Sequence, residues 1–275
     1  MFKVAIENLF NQLYVNKIPY LIERNYEMLP DNVENDLDLL IEYKNLQKVK
    51  GIIDFVLTGK NYYKVLDGFS LGTNKLIYVN NDQNLDLIRL DLNYMFHYLG
   101  IEYLDIEIIL NRRIKNKNFY IPHKKDELIM SLFTNYINNG QVKEKYKAFI
   151  KSNLDIVSNY DALYIKEEFI NTLLKFISVG DWSSVNKFVT KVRRNIVSRN
   201  FLLPKKNKMI NLLTILIKRL YKSNNILIQI SQNEYSLFIE KAKRKGMKCI
   251  DISSTNRIKM FLYKRFNGNL FIKLK

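Results

Sequence analysis

Apolar residues at Phe2, Val4, Ala5, Ile6, Leu9, Phe10, Leu13 and Tyr14 recur with a helical period, which predicts an amphipathic helix over 2–16. "PYLIERN" then has the apolar density of a short strand. A turn-rich segment, "EMLPDNVEN", leads into a second strand in "DLDLLIEY". Helical spacing returns through Leu46, Val49, Ile52, Ile53, Val56 and Leu57, predicting a helix over 44–58. Beyond it, "YYKVLDGFSLGTNKLIYVNNDQNLDLIRLDLNY" is β-rich. Its "NNDQN" is a hairpin turn between 76–79 and 85–92, because Asn and Asp tolerate positive φ.

From about Lys124 the pattern becomes helical, over 125–138, 143–151, 166–178 and 183–199. Asp181 or Ser183 in "GDWSSVNKF" is the candidate cap of the last of these. A second α/β stretch closes the chain: a helix over 206–222, a strand in "NILIQIS", a helix near 233–245 ended by Gly246, and a strand in "MKCIDIS". The expected fold class is therefore α/β: a mixed sheet with flanking helices over 1–120, a helical domain over 121–200 and a small basic αβ piece over 201–275. The apolar helix at 206–222 carries lysines and an arginine at its two ends. It suits burial against a sheet, or an anionic membrane interface.

Charge sharpens this division. Residues 1–120 hold 14 Lys and Arg against 16 Asp and Glu, net −2, whereas 121–275 hold 30 against 11, net +19. The excess concentrates in 201–275, with 17 basic and 3 acidic residues, and favours an anionic partner: nucleic acid, a membrane surface or an acidic glycan. One cysteine, Cys249, forms no intramolecular disulfide, which points to a reducing cytoplasm. The N-terminus shows no signal-peptide pattern, and no run approaches the roughly 20 apolar residues of a transmembrane helix, so a cytoplasmic protein is expected. His97 and His123 have no Cys or carboxylate at metal-ligand spacing, and "LTGKN" lacks the remaining residues of a phosphate-cradling loop.

The candidate chemistry lies in "ENDLDLLIEY". Strand side chains alternate, so Asp36 and Asp38 share one face, about 7 Å apart, while Leu37 and Leu39 face a core. Two carboxylates so placed suit a hard divalent cation such as Mg²⁺. Asp91 in "LIRLDLNY" is the candidate third acid. Asp86 competes for that role, but Asp91 has more apolar residues on both sides.

These residues, in this order, resemble the nucleotidyltransferase superfamily, whose signature is a Gly-Ser-type turn, a gap of about a dozen residues, Asp-x-Asp and a later carboxylate. In "IERNYEMLPDNVENDLDLLI", Arg24-Asn25 stands at the turn position, 11 residues before Asp36. The stretch is similar to a branch found in bacterial surface-polysaccharide gene clusters. "YIPHKKDELIMSLFTNYINNGQVKEKYKAFI" looks like that branch's helical segment, so the resemblance covers residues 1 to about 200. It implies a nucleotidyltransferase-like fold and nucleotidyl transfer from a nucleoside triphosphate to a hydroxyl or phosphate of a glycan, nucleic-acid or protein acceptor. Asp36, Asp38 and Asp91 would hold Mg²⁺, and Asp91 would accept the proton of the attacking hydroxyl. Arg24 and the backbone at Asn25 would contact the triphosphate, with Lys143, Lys145 and Tyr146 as further phosphate or base contacts. The Gly-Ser pair itself is missing, and without Gly the backbone approaches a phosphate less closely. A non-catalytic module binding nucleic acid or another polyanion is the alternative, and a nucleotidylating toxin a third.

Overall fold

The structure is a computed structural model that describes residues 2–32, 36–80, 86–157 and 160–200, the strand segments 226–230, 248–251 and 269–274, and Glu240. It is a mixed α/β protein with seven α-helices among the described residues. Helix α1 (Phe2–Val15) leads to strands β1 (Tyr20–Ile22) and β2 (Leu37–Ile41), then α2 (Leu46–Thr58) and strands β3 (Tyr62–Ser70), β4 (Thr73–Asn80) and β5 (Asp86–Asn93). The five strands form one sheet in the order β1-β2-β5-β4-β3. Only the central β2–β5 pair is parallel; the other neighbours are antiparallel.

The period-two alternation explains which way this sheet faces. Leu37, Leu39 and Ile41 of β2, Ile88, Leu90 and Leu92 of β5, and Leu76 and Tyr78 of β4 all point to one side. There they bury against Ala5, Ile6, Leu9, Phe10 and Leu13 of α1 and Val49, Ile53, Val56 and Leu57 of α2. Those helix positions lie one, three or four residues apart, the spacing of a single helical stripe. The opposite side of the sheet carries Asp38, Arg89, Asp91, Asn93 and Lys75, together with the apolar Leu21, Leu40, Ile77, Val79 and Leu87. Leu40 joins Leu21 in a second core built by the helical half of the chain.

That half contains more β structure than the sequence pattern predicts. A hairpin of β6 (Phe96–Tyr98) and β7 (Ile101–Leu104), helix α3 (Ile106–Asn111) and a hairpin of β8 (Ile114–Asn116) and β9 (Phe119–Ile121) precede α4 (Lys124–Asn139). Strands of three or four residues are too short to display a period. Phe96, Ile101, Tyr103, Leu104, Ile109 and Leu110 pack in the helical core, although the charge and pattern boundary at 120 sets them with the sheet. Helices α5 (Glu144–Lys151), α6 (Glu167–Ser178) and α7 (Trp182–Asn200) agree with the predicted spans within a residue or two. Asp181 caps α7, its Oδ1 accepting from Ser184 N at 3.0 Å. Gly140 ends α4 in the left-handed conformation, φ 84°.

A buried ion pair joins these pieces. Asp126, in the first turn of α4, is fully buried. It accepts from Arg112 Nη2 at 2.6 Å and Nε at 3.2 Å, and from Tyr160 Oη at 2.6 Å. Arg112 caps α3, so the triad binds the end of α3, the start of α4 and the segment before α6.

Three C-terminal strands, β10 (Ile226–Ile230), β11 (Lys248–Asp251) and β12 (Asn269–Leu274), form a parallel sheet in the order β10-β12-β11. The first two match "NILIQIS" and "MKCIDIS", with Cys249 in β11; β12 was not foreseen. The helices predicted at 206–222 and 233–245 lie outside the described residues, Glu240 excepted, and Glu240 is helical. Among the described residues, no helix is long and apolar enough to cross a membrane.

Replacing Arg112 with Ala is expected to lower folding stability by about 3 kcal/mol, the scale for removing one partner of a buried ion pair. In urea denaturation the midpoint should fall with the slope unchanged.

Candidate functional site

The parallel register of β2 and β5 places Asp38 directly beside Asp91. Paired residues of neighbouring strands project from the same face, so the two carboxylates emerge side by side. Asp36, one residue ahead of β2, joins them. One oxygen from each of Asp36, Asp38 and Asp91 lies within 4.8 Å of the others. Asp86 opens β5, five residues from Asp91 and opposite Asn80, so the strand itself separates it from this cluster. Three carboxylate oxygens converging on one point are a donor set suited to a hard divalent cation, and the cluster could hold one.

Asp38 is 2% exposed. Burial raises its carboxyl above the ordinary value, although the Arg24 guanidinium pulls the other way. Arg24 Nε donates to Asp38 Oδ2 at 2.5 Å. Burial works against the charge on Arg24, but Asp38 and the hydrogen bond to it outweigh that cost and hold the guanidinium above its usual value. The resemblance assigns Arg24 to a triphosphate; in this structure its partner is instead Asp38, a member of the acidic cluster.

Asn25 stands at the position where the resemblance has a Gly-Ser-type turn. Its φ is 57°, in the left-handed region where Gly is favoured and Asn is the next most tolerant residue. The backbone there thus adopts a conformation that glycine favours, while the Asn25 Cβ still keeps a phosphate farther from the chain than a glycine would. Tyr26, the next residue, donates its hydroxyl to Glu127 Oε1 of α4 at 2.9 Å.

Four residues of the same face escaped the sequence reading: Glu23, Lys75, Arg89 and Asn93. Arg89 Nη2 lies 3.1 Å from Asp91 Oδ2 and 3.4 Å from Asp36 Oδ2, and its Nε donates to Asp91 Oδ1 at 3.2 Å. Lys75 pairs with Asp91 across β4 and β5, its Nζ 3.8 Å from Oδ2. Glu23 N extends the β1–β2 ladder by donating to Asp38 O at 3.0 Å. Burial, with the Asp38 charge beside it, pushes the Glu23 carboxyl up to about 8. Asn93 donates to Glu23 Oε1 at 2.8 Å and accepts from Thr73 Oγ1 at 2.7 Å, which fixes its amide orientation. The signal was present in "LIRLDLN", where Arg89, Asp91 and Asn93 alternate with buried leucines.

Glu23, Arg24, Asp38, Lys75, Asp91 and Asn93 form one wall of a cleft of about 390 Å³. The opposite wall is α4, whose Ser131, Thr134, Asn135 and Asn138 fall at i, i+3, i+4 and i+7 and line the cleft as a single uncharged stripe. Tyr146 of α5 also lines it. Lys143 and Lys145, predicted beside Tyr146, do not: both are exposed, Lys143 at the N-cap of α5 and Lys145 with its ammonium 4.8 Å from the Tyr146 ring centroid. One helical turn turns its faces apart, and the lysines take the solvent side.

At the rim, His97 Nδ1 accepts from Gly100 N at 3.1 Å, so the proton sits on Nε2, which donates to Leu71 O at 2.8 Å. Gly72 beside it has φ 76°, and a Cβ there would meet Met95 O at 2.5 Å; no other residue fits this turn. His123 is spent on Lys125 N at the start of α4.

No protein-family profile matches this chain, and no curated protein sequence does. Among solved structures it is similar to the crystal structure of JHP933 from Helicobacter pylori, at 10% identity and a TM-score of 0.29, over 73% of this chain and 94% of that one. A likeness of that size carries no conclusion about fold or activity.

Asn25→Val is expected to destabilise the protein by about 1–2 kcal/mol, the cost of forcing a β-branched residue to positive φ. Asn25→Gly should change stability by less than about 1 kcal/mol. Thermal or urea unfolding of the two variants distinguishes a conformational requirement at Asn25 from a side-chain contact.

Proposed function

We propose that this chain is a magnesium-dependent nucleotidyltransferase with a nucleotidyltransferase-like fold, acting on a hydroxyl or phosphate acceptor in surface-polysaccharide synthesis. One observation carries the proposal: Asp91, distant in sequence from Asp36 and Asp38, brings an oxygen within 4.8 Å of one from each of them, and Asp38 and Asp91 line a cleft. The Asp-x-Asp strand and a third acid on a neighbouring strand are elements of the resemblance; the Gly-Ser pair is absent, and Arg24-Asn25 stands in its place.

Asp36, Asp38 and Asp91 would hold the ion. When bound there, Mg²⁺ neutralises phosphate oxygens during an in-line displacement. The chain's own groups do the rest. Arg24 and Lys75 supply positive charge along the cleft wall for the triphosphate, the arginine with a forked donor that matches phosphate oxygens. Asp91 takes the proton of the attacking acceptor hydroxyl as the new P–O bond forms and pyrophosphate leaves. Tyr146 and the Ser131–Asn138 stripe face the part of the substrate that carries no charge, where neutral donors and acceptors recognise hydroxyls or a base edge.

A thermal-shift series with the four nucleoside triphosphates, each with and without Mg²⁺, tests the proposal. A ligand at about 100 times its Kd adds about 2.7 kcal/mol to the folded state. The expected result is a rise of several degrees with at least one nucleotide, dependent on Mg²⁺ and lost when Asp36 and Asp38 are both changed to Asn. No shift with any nucleotide in the presence of Mg²⁺ would overturn it.

A further inference from the structure

Every carboxylate of the triad already faces a cation. Arg24 Nε is 2.5 Å from Asp38 Oδ2, and Lys75 Nζ is 3.8 Å from Asp91 Oδ2. Arg89 does more than pair with a single acid. Its Nη2 bridges Asp36 and Asp91, at 3.4 and 3.1 Å, while its Nε holds the second oxygen of Asp91. The bridging nitrogen thus lies against two of the three acids at once. The side chain of Arg89 is 16% exposed, as is that of Asp36, and that of Asp91 is 10% exposed, so solvent screens these charges less than it would at the surface.

We infer that Arg89 is a resident counter-ion of the triad, which a divalent cation must displace from Asp36 and Asp91 before it can bind. This rests on the triad being a metal site, as proposed above. Mg²⁺ takes its oxygens at about 2.0–2.1 Å in a near-octahedral shell, which leaves no room for a guanidinium bonded to two of the same carboxylates. Like-charge repulsion at about 3–4 Å in a partly dry site adds to the steric conflict. Arg89 therefore keeps the three acids from repelling one another in the metal-free protein, and it lowers the affinity of the site for free metal. The position follows from β5: Arg89 is two residues before Asp91 on the same strand face, so its fork cannot avoid the triad.

The test is Mn²⁺ binding to the full chain, followed by the electron paramagnetic resonance of the free ion, without nucleotide. Arg89→Met removes the charge and keeps the length of the stem. The expected result is Mn²⁺ binding at least tenfold tighter than in the unmodified protein, with the gain abolished by adding Asp36→Asn. If circular dichroism shows that the methionine variant does not fold, Arg89→Gln, which keeps a planar hydrogen-bonding end without charge, takes its place with the same expected gain. Binding in the variant that is equal to or weaker than in the unmodified protein overturns the role of Arg89 and leaves the metal site standing. A gain that survives Asp36→Asn also overturns it, because the ion then binds elsewhere. No binding by either chain overturns the role of Arg89 and the nucleotidyltransferase reading together.

Discussion

The pairing of β2 with β5 in parallel register sets Asp38 beside Asp91, and much of the sheet is arranged to tolerate that choice. Two carboxylates side by side on a largely buried face repel, and a third, Asp36, adds to the charge. The compensation is local and complete: Arg24 comes from the end of β1, Arg89 from β5 itself and Lys75 from β4. Each cation arrives on a strand adjacent to its acid or on the same strand. The hydrophobic side of these strands, buried against α1 and α2, prevents the register from slipping. A one-residue shift would send Leu90 and Leu92 into the cleft and Asp91 into the core.

The two walls of the cleft differ because two kinds of periodicity meet there. The sheet wall carries its charges at alternate strand positions such as Asp38, Lys75 and Asp91, whereas the α4 wall is polar but neutral at every third or fourth. Behind each wall lies its own apolar core, one between the sheet and α1 and α2, the other among α3 to α7. Neither core has to be disturbed to alter what the cleft presents, so the chemistry at its surface is separable from the packing that supports it.

The sequence made the long elements and the carboxylates legible, and concealed their partners. Helices of twelve residues or more, and strands with an uninterrupted apolar stripe, reveal themselves by period. The three-residue strands around Phe96 and Phe119 do not, since they complete less than two repeats. Asp36, Asp38 and Asp91 stood out because acids are conspicuous against leucine. The roles of Arg24, Arg89 and Lys75 depend on which strands are neighbours, and a crossover that makes β2 and β5 adjacent is not written in either strand. The same holds for Glu23, whose carboxyl is pushed up by burial and, after that, by Asp38 beside it across the ladder. Lys143 and Lys145 misled for the opposite reason: basic residues next to an aromatic look like a binding patch, but helix geometry assigns them to the outer face.

The Tyr26–Glu127 hydrogen bond spans the gap between a loop of the sheet and the first turns of α4. It departs from the residue immediately after the left-handed turn at Asn25, and Arg24 departs from the residue immediately before it. Within three consecutive residues the backbone therefore reaches the floor of the cleft with one side chain and its far bank with another. The turn acts as a rivet between the sheet and α4, at the same point in the chain that delivers a cation to Asp38.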